Sequence, residues 1–194
     1  WVARRDERIR LRYDELIDAY VTAATKLFPY AMLHWEDFGA GNARRILNKY
    51  ADQVCTFNDD MQGTAAVVMA AAFAAVKAAG NRMCDQRVVI YGAGTAGCAI
   101  ADMLRDVMIG EGLSQQEAAR RFWALDRPGL LTSDVPDLRD YQQPYARPAA
   151  EVADWSRHGV GGELTLVDVV AHAQPTMLIG TSTQRGAFTE GIVR

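Results

Sequence analysis

Arg87-Val88-Val89-Ile90-Tyr91-Gly92-Ala93-Gly94-Thr95-Ala96-Gly97 is the stretch from which the fold is read. An apolar, β-branched run of strand length enters a GxGxxG turn, and Ala99 to Val107 continue with helical spacing. In that context each glycine has a physical task. Gly92 makes the tight turn, Gly94 lets a pyrophosphate approach the backbone, and Gly97 lets the helix pack closely on the strand. Thr95 and Ala96 complete a helix N-terminus whose positive dipole end faces the phosphates. The plainer alternative is a strand-to-helix turn with no ligand.

Downstream, Phe122-Trp123-Ala124-Leu125 reads as the next strand and ends at Asp126. An acid there would accept the hydroxyls of an adenosine ribose. It comes later than the usual spacing of about 20 residues, because a helical hairpin with a capping box at Ser114-Gln115-Gln116-Glu117 intervenes. A carboxylate at Asp126 would repel a ribose phosphate and favours NAD over NADP, whereas Arg127 beside it pulls the other way. Thr165 with Asp168 can cap a helix to Ala173, and Pro175 introduces a strand over Thr176 to Gly180. The hydroxyl of Ser182, on the carboxyl side of that strand, could touch the cofactor or cap the following helix. Leu130 to Ala149 is polar and proline-bearing and reads as a surface loop. Alternating strands and helices predict an α/β chain, a Rossmann-like parallel sheet with helices on both faces. Only three strands are read from Arg87 onward, the one that enters the glycine turn and two after it, so the remainder of that domain is expected beyond Arg194.

Upstream the pattern is mainly helical. Helices are predicted over Tyr13 to Phe28, Gly39 to Tyr50 and Gly63 to Ala79, with short strands over Ala31 to Trp35 and Gln53 to Phe57. The last helix is apolar all round, which predicts an internal one. The chain therefore divides into residues 1–80 and a dinucleotide-binding unit over 81–194. Each short strand ends in an acidic pair, Glu36-Asp37 and Asp59-Asp60. Carboxylates among apolar neighbours are costly unless paired, and two such pairs at strand ends are most economically explained by a bound cation. Helix N-capping is the plainer reading for Asp37 and Asp60.

Composition narrows the classes. The 194 residues carry 49% hydrophobic and 23% charged side chains and a net charge of −3, so a buried core is expected and no basic face for nucleic acid. The apolar run Ala65 to Ala79 falls short of the roughly 20 residues of a membrane span. Cys55, Cys84 and Cys98 show no paired spacing, which suits a reducing cytoplasm. Cys55 and Cys98 read as small hydrophobes, and His34 and Trp35 as packed core. The chain lacks a starting Met and reads as a fragment.

Trp35-Glu36-Asp37-Phe38-Gly39, then Cys55-Thr56-Phe57-Asn58-Asp59-Asp60-Met61-Gln62-Gly63-Thr64, then Gly92-Ala93-Gly94 closely resemble the central part of malic enzymes, over about Tyr13 to Ile192. The resemblance implies that Glu36, Asp37 and Asp60 are the protein ligands of a Mg²⁺ or Mn²⁺ ion, and that Asp59 is a neighbouring catalytic acid near a lysine. It implies hydride transfer from C2 of malate to NAD, metal-assisted loss of carbon dioxide, and protonation of the enol. The lysine base and tyrosine acid would lie before Trp1. It also implies a cytoplasmic enzyme, a homo-oligomer at full length. Thr181-Ser182-Thr183-Gln184 looks somewhat like the malolactic branch, which makes lactate, while Gly63-Thr64-Ala65-Ala66 looks like ordinary malic enzymes. A binding module without catalysis is the competing class.

Overall fold

The computed structural model describes residues 2–194, with side chains from Ile9 onward apart from residue 40. Helix α1 (Val2–Leu27), strand β1 (Leu33–Trp35), helix α2 (Ala40–Tyr50) and strand β2 (Thr56–Asn58) lead into a π-helical turn, Asp59–Gly63, and helix α3 (Thr64–Ala78). Then follow β3 (Val88–Tyr91), α4 (Thr95–Gly110), α5 (Gln115–Ala119), β4 (Phe122–Asp126), β5 (Gly129–Leu130), α6 (Leu166–Ala173), β6 (Met177–Gly180) and α7 (Glu190–Val193). The first helix starts well before Tyr13, because the Arg, Glu and Leu residues ahead of it are good helix formers.

The main sheet has the order β5-β4-β3-β6. The strands β4, β3 and β6 are parallel, with Val88 opposite both Phe122 and Met177. Strand β5 is an antiparallel addition that the sequence reading did not anticipate. Alternation along β3 and β4 explains the helices on both faces. Val88, Ile90, Phe122 and Ala124 point into a core with Ile100 and Leu104 of α4. Val89, Trp123 and Leu125 point the other way, onto Leu166 and Val169 of α6. A fully buried Val or Ile contributes about 1.5–3 kcal/mol relative to exposure, so these two faces, more than the ladder of short β5, hold the sheet. Both expected caps are present: Ser114 with Glu117, and Thr165 with Asp168, form reciprocal capping boxes. Burial by itself pushes the Asp168 carboxyl up, but His158 and the Thr165 backbone and hydroxyl bond to it and hold it well below the usual carboxylate range.

Three expectations are corrected. The segment after Leu130 is not a surface loop. Leu131 and Tyr145 are buried, Thr132 bridges Arg147, and Gln142 and Arg147 are buried polar residues. Helix α3 is not internal all round: Ala65, Ala72 and Val76 are buried, while Val67 is 71% and Phe73 is 40% exposed. Within the described residues α3 packs on α4 and the π-helical turn, and two neighbours cover only part of a helix. The turn also lengthens the apolar run, so that Asp59–Ala78, at 20 residues, is long and apolar enough to cross a membrane by length and composition. Core helices meet the same test.

One hydrophobic core runs from Ile17 and Trp35 through Met61 and Ala65 to Ile100, Leu104 and Ile179, joining the two parts of the chain. A polar tie reinforces it. Asp102 of α4 accepts from Arg44 of α2 at 2.8 Å and from the Tyr145 hydroxyl at 2.6 Å. Burial, and then the Asp102 charge, push the Tyr145 proton affinity far up, so this hydroxyl stays a donor.

Candidate cofactor and metal site

The acidic pairs are brought together by register. Strands β1 and β2 pair in parallel with Trp35 opposite Asn58, so the chain leaves both strands at the same end and Glu36-Asp37 emerges beside Asp59-Asp60. Asp37 turns back with φ 56, a left-handed conformation that Asp tolerates better than most residues. Its backbone N–H donates to Asp60 Oδ2 at 2.8 Å. Asn58 caps the π-helical turn by accepting from Met61 N, and its own N–H donates to Gln62 Oε1. Asp59 lies over Gly63, where an added Cβ would fall 2.1 Å from Asp59 Oδ1.

Among the described residues, the His, Cys, Asp and Glu side chains that gather three ligand atoms within 4.8 Å of one another are those of His34, Glu36 and Asp59. Asp37 and Asp60 are not in that group. Their link is the backbone bond just described. His34 was expected in the core; it is exposed, stacks on Phe57 at 4.5 Å between centroids, and reaches Glu36 Oε2 at 3.4 Å. Glu36 and Asp37 are exposed and Asp59 and Asp60 half-buried, so burial among apolar side chains does not explain the pairs. Trp35 is core, as expected. Cys55 is exposed and Cys98 buried, its thiol pushed up to about 12 by burial and then by Asp102.

The glycine turn forms the second locus. Gly92 and Ala93 donate backbone N–H groups to Leu125 O at 2.9 and 2.8 Å, which binds the turn to the tip of β4. Gly92 has φ +106, and an added Cβ would meet Ser182 N at 2.4 Å; at Gly97 it would meet Gly92 O at 2.2 Å. At Gly94 a Cβ would meet nothing within 4 Å. Two of the glycines thus serve internal packing, and the third faces open space at the start of α4. A cavity of about 510 Å³ opens there, lined by Gly92, Gly94, Asp126, Arg127, Thr181 and Ser182 among others. Two neighbouring cavities, of about 420 and 370 Å³, share Ser182 on one side and Asp126 with Arg127 on the other. An extended groove around a helix N-terminus suits a dinucleotide.

Asp126 stands at the tip of β4 in this groove. Its Oδ1 accepts from Arg127 N at 2.9 Å and its Oδ2 from Gln142 Nε2 at 2.9 Å. The Thr181 hydroxyl donates to Gly92 O at 2.5 Å, while Ser182 Oγ accepts from Gln184 N at 3.3 Å. Ser182 therefore caps a local turn and also lines the groove. Gln142, in the stretch whose composition predicts a surface loop, and the pairing of the Tyr91 hydroxyl with Gln184 Oε1 carry no signal in the sequence. Neither follows a motif, since each contact spans distant segments.

Parallel strands, a glycine turn at a helix N-terminus, an acid at the next strand end and a cluster of carboxylates define a dinucleotide-binding α/β protein with a candidate metal centre. Residues 61–194 match the family model described as malic enzyme, NAD binding domain, and residues 1–51 match malic enzyme, N-terminal domain. The chain belongs to the malic enzyme family. It is 56% identical over its whole length to NAD-dependent malic enzyme 3 of Bacillus subtilis, covering 34% of that protein. It is 42% identical, over 98% of its length, to the NAD-dependent malic enzyme of Pseudomonas aeruginosa, again covering 34%. The crystal structure of the NAD-dependent malic enzyme from Thermotoga maritima superimposes with a TM-score of 0.64 at 26% identity, over 87% of this chain and 40% of that one. The chain spans about a third of the length of the curated relatives it matches.

Proposed function

We propose that the protein containing this chain is an NAD-dependent malic enzyme that converts L-malate to pyruvate and carbon dioxide. The observation that carries this reading is the parallel pairing of β1 with β2, which sets Glu36-Asp37 abreast of Asp59-Asp60. The turn bearing the second pair packs on α4, the helix that opens the dinucleotide groove. Residues 1–80 supply the metal side and 81–194 the dinucleotide side. The protein works as a cytoplasmic homo-oligomer on a small dicarboxylate, without nucleic acid or membrane; the net charge of −3 favours no polyanion.

The donor chemistry at the two loci suits both expected groups, although the side chains that converge are those of His34, Glu36 and Asp59. Carboxylate oxygens suit a hard divalent cation, and Glu36, Asp37 and Asp60 would hold Mg²⁺ or Mn²⁺. When bound, the ion would polarise the C2 oxygen of the substrate and ease loss of carbon dioxide. The open space at Gly94 fits a pyrophosphate, and NAD when bound would accept the C2 hydride. Thr95, Ala96 and Gly97 offer the first-turn backbone of α4 to the phosphates. Asp126 accepts ribose hydroxyls, Arg127 borders the adenosine side and Ser182 the nicotinamide side. Asp59, lying over Gly63, orients the base that takes the C2 hydroxyl proton.

Product analysis tests the reading. The full-length enzyme with malate, NAD⁺ and Mg²⁺ should yield pyruvate and NADH in equal amounts; lactate without NADH would assign the malolactic reaction instead. Asp126→Ala should weaken NAD⁺ binding at least about tenfold, the order of a charge-assisted hydrogen bond, and relax discrimination against NADP⁺. Should the unmutated enzyme prefer NADP⁺, Asp126 does not have this role. Gly63→Ala should displace the Asp59 carboxylate by about an ångström, lowering kcat about 10²-fold with little effect on NAD⁺ affinity. An unchanged kcat would remove Asp59 from the chemistry.

A further inference from the structure

Gln142 is only 5% exposed, yet it belongs to no motif and touches both halves of the dinucleotide groove. Its Nε2 donates to Ala93 O, the carbonyl inside the glycine turn, at 2.8 Å, and to Asp126 Oδ2 at 2.9 Å. Its Oε1 accepts from Arg139 N at 3.1 Å. Both amide hydrogens are thus committed to acceptors and the amide oxygen to a donor. The reversed amide would set oxygen against a carbonyl and a carboxylate, so only one orientation is satisfied. The other Asp126 oxygen takes the Arg127 N–H. Each carboxylate oxygen then has one protein partner and keeps lone-pair capacity for an incoming hydroxyl.

We propose that Gln142 is a positioning residue for the dinucleotide: it ties Asp126 to the glycine turn and presets the carboxylate for the two ribose hydroxyls before cofactor binds. The proposal rests on the reading of Asp126 as the ribose acceptor. Unaided, a carboxylate at a strand tip with a half-open environment would sample several rotamers, and binding would have to select one. A buried amide bonded to the turn removes that cost, as preorganisation does elsewhere. Gln142 also lines the cavity of about 370 Å³ that it shares with Gly94, Asp126 and Arg127.

The test is a double-mutant cycle in the full-length protein, read by calorimetric affinity for NAD⁺ and by NADH fluorescence. Gln142→Met keeps the length and removes both donors. It should weaken NAD⁺ about tenfold, with the loss in affinity and KM rather than in kcat, and in an Asp126→Ala background it should cost nothing further. An equal loss in both backgrounds would mark a purely structural residue and overturn the proposal. If Asp126→Ala weakens NAD⁺ and Gln142→Met does not, the Gln142 role alone fails. If Asp126→Ala leaves NAD⁺ binding intact, the ribose reading fails and this role with it. Should Gln142→Met not fold, Gln142→Glu keeps the acceptor for Arg139 and, ionised, repels Asp126; the same losses are expected and the same results would overturn the proposal.

Discussion

Asp60→Ala should lower kcat/KM for malate by about 10³-fold in the full-length enzyme, the scale expected when several kcal/mol of metal-centred stabilisation are withdrawn. Two effects combine. The substitution removes a proposed ligand oxygen, and it also removes the acceptor of the Asp37 N–H, which is bound at 2.8 Å. Asp37 sits at φ 56, a conformation that costs energy for a non-glycine residue and persists only when its surroundings impose it. Without Asp60 the turn carrying Glu36 and Asp37 relaxes, and the remaining acids lose their relative placement. Asp60→Asn separates the effects. Its side-chain oxygen still accepts from Asp37 but carries no charge, so the turn should survive while Mn²⁺ affinity falls. Steady-state kinetics with Mn²⁺ binding measured by electron paramagnetic resonance checks both variants. Near-native metal affinity in Asp60→Ala would exclude it as a ligand.

Gly97→Ala is expected to damage the dinucleotide half through packing alone, since Gly97 lies outside the left-handed region. The new Cβ would lie 2.2 Å from Gly92 O, 2.8 Å from Thr181 Oγ1 and 3.0 Å from Ile90 Cγ2. The nearest atom is backbone, and Gly92 is itself held by its N–H bond to Leu125 O. Relief requires α4 to move off β3 and the Thr181 bond to Gly92 O to stretch. Overpacking of this kind costs about 1–3 kcal/mol and the lost hydrogen bond about 1 kcal/mol, so the melting temperature should fall and NADH binding should weaken together. Gly94→Ala is the informative contrast, because a Cβ there meets nothing within 4 Å. It should leave the melting temperature almost unchanged yet weaken NADH, since the methyl occupies the space proposed for the pyrophosphate. Equal stability losses in the two variants would contradict this division of labour between the glycines.

The dinucleotide half was legible because its signals are local. The apolar run Val88 to Tyr91, the glycine turn and the Ser114 and Thr165 caps each fix a backbone conformation within a few residues, and all stand where the spacing puts them. Strand β5 escaped because two residues, Gly129–Leu130, carry no periodicity. The exposure of α3 could not be read from its composition. An all-apolar helix says that it can be buried, while Val67 and Phe73 show that the neighbours decide how much of it is. The acidic pairs were legible as a motif but not in detail. Parallel register at Trp35 and Asn58 puts them side by side, yet the left-handed Asp37 and the π-helical turn under Asp59 set which side chains converge. Gln142 left no trace, because its partners Ala93 and Asp126 are distant in sequence and meet it only through the fold.

The most direct measurement is a crystal structure of the full-length enzyme soaked with Mn²⁺, with the ion located by its anomalous scattering. The expected result is one ion bound by carboxylate oxygens of Glu36, Asp37 and Asp60, with Asp59 beside it outside bonding distance, and the same site taken by Mg²⁺ at about 2.0–2.1 Å. An ion on His34, Glu36 and Asp59 with Asp37 and Asp60 turned away, or none at the ends of β1 and β2, would contradict it.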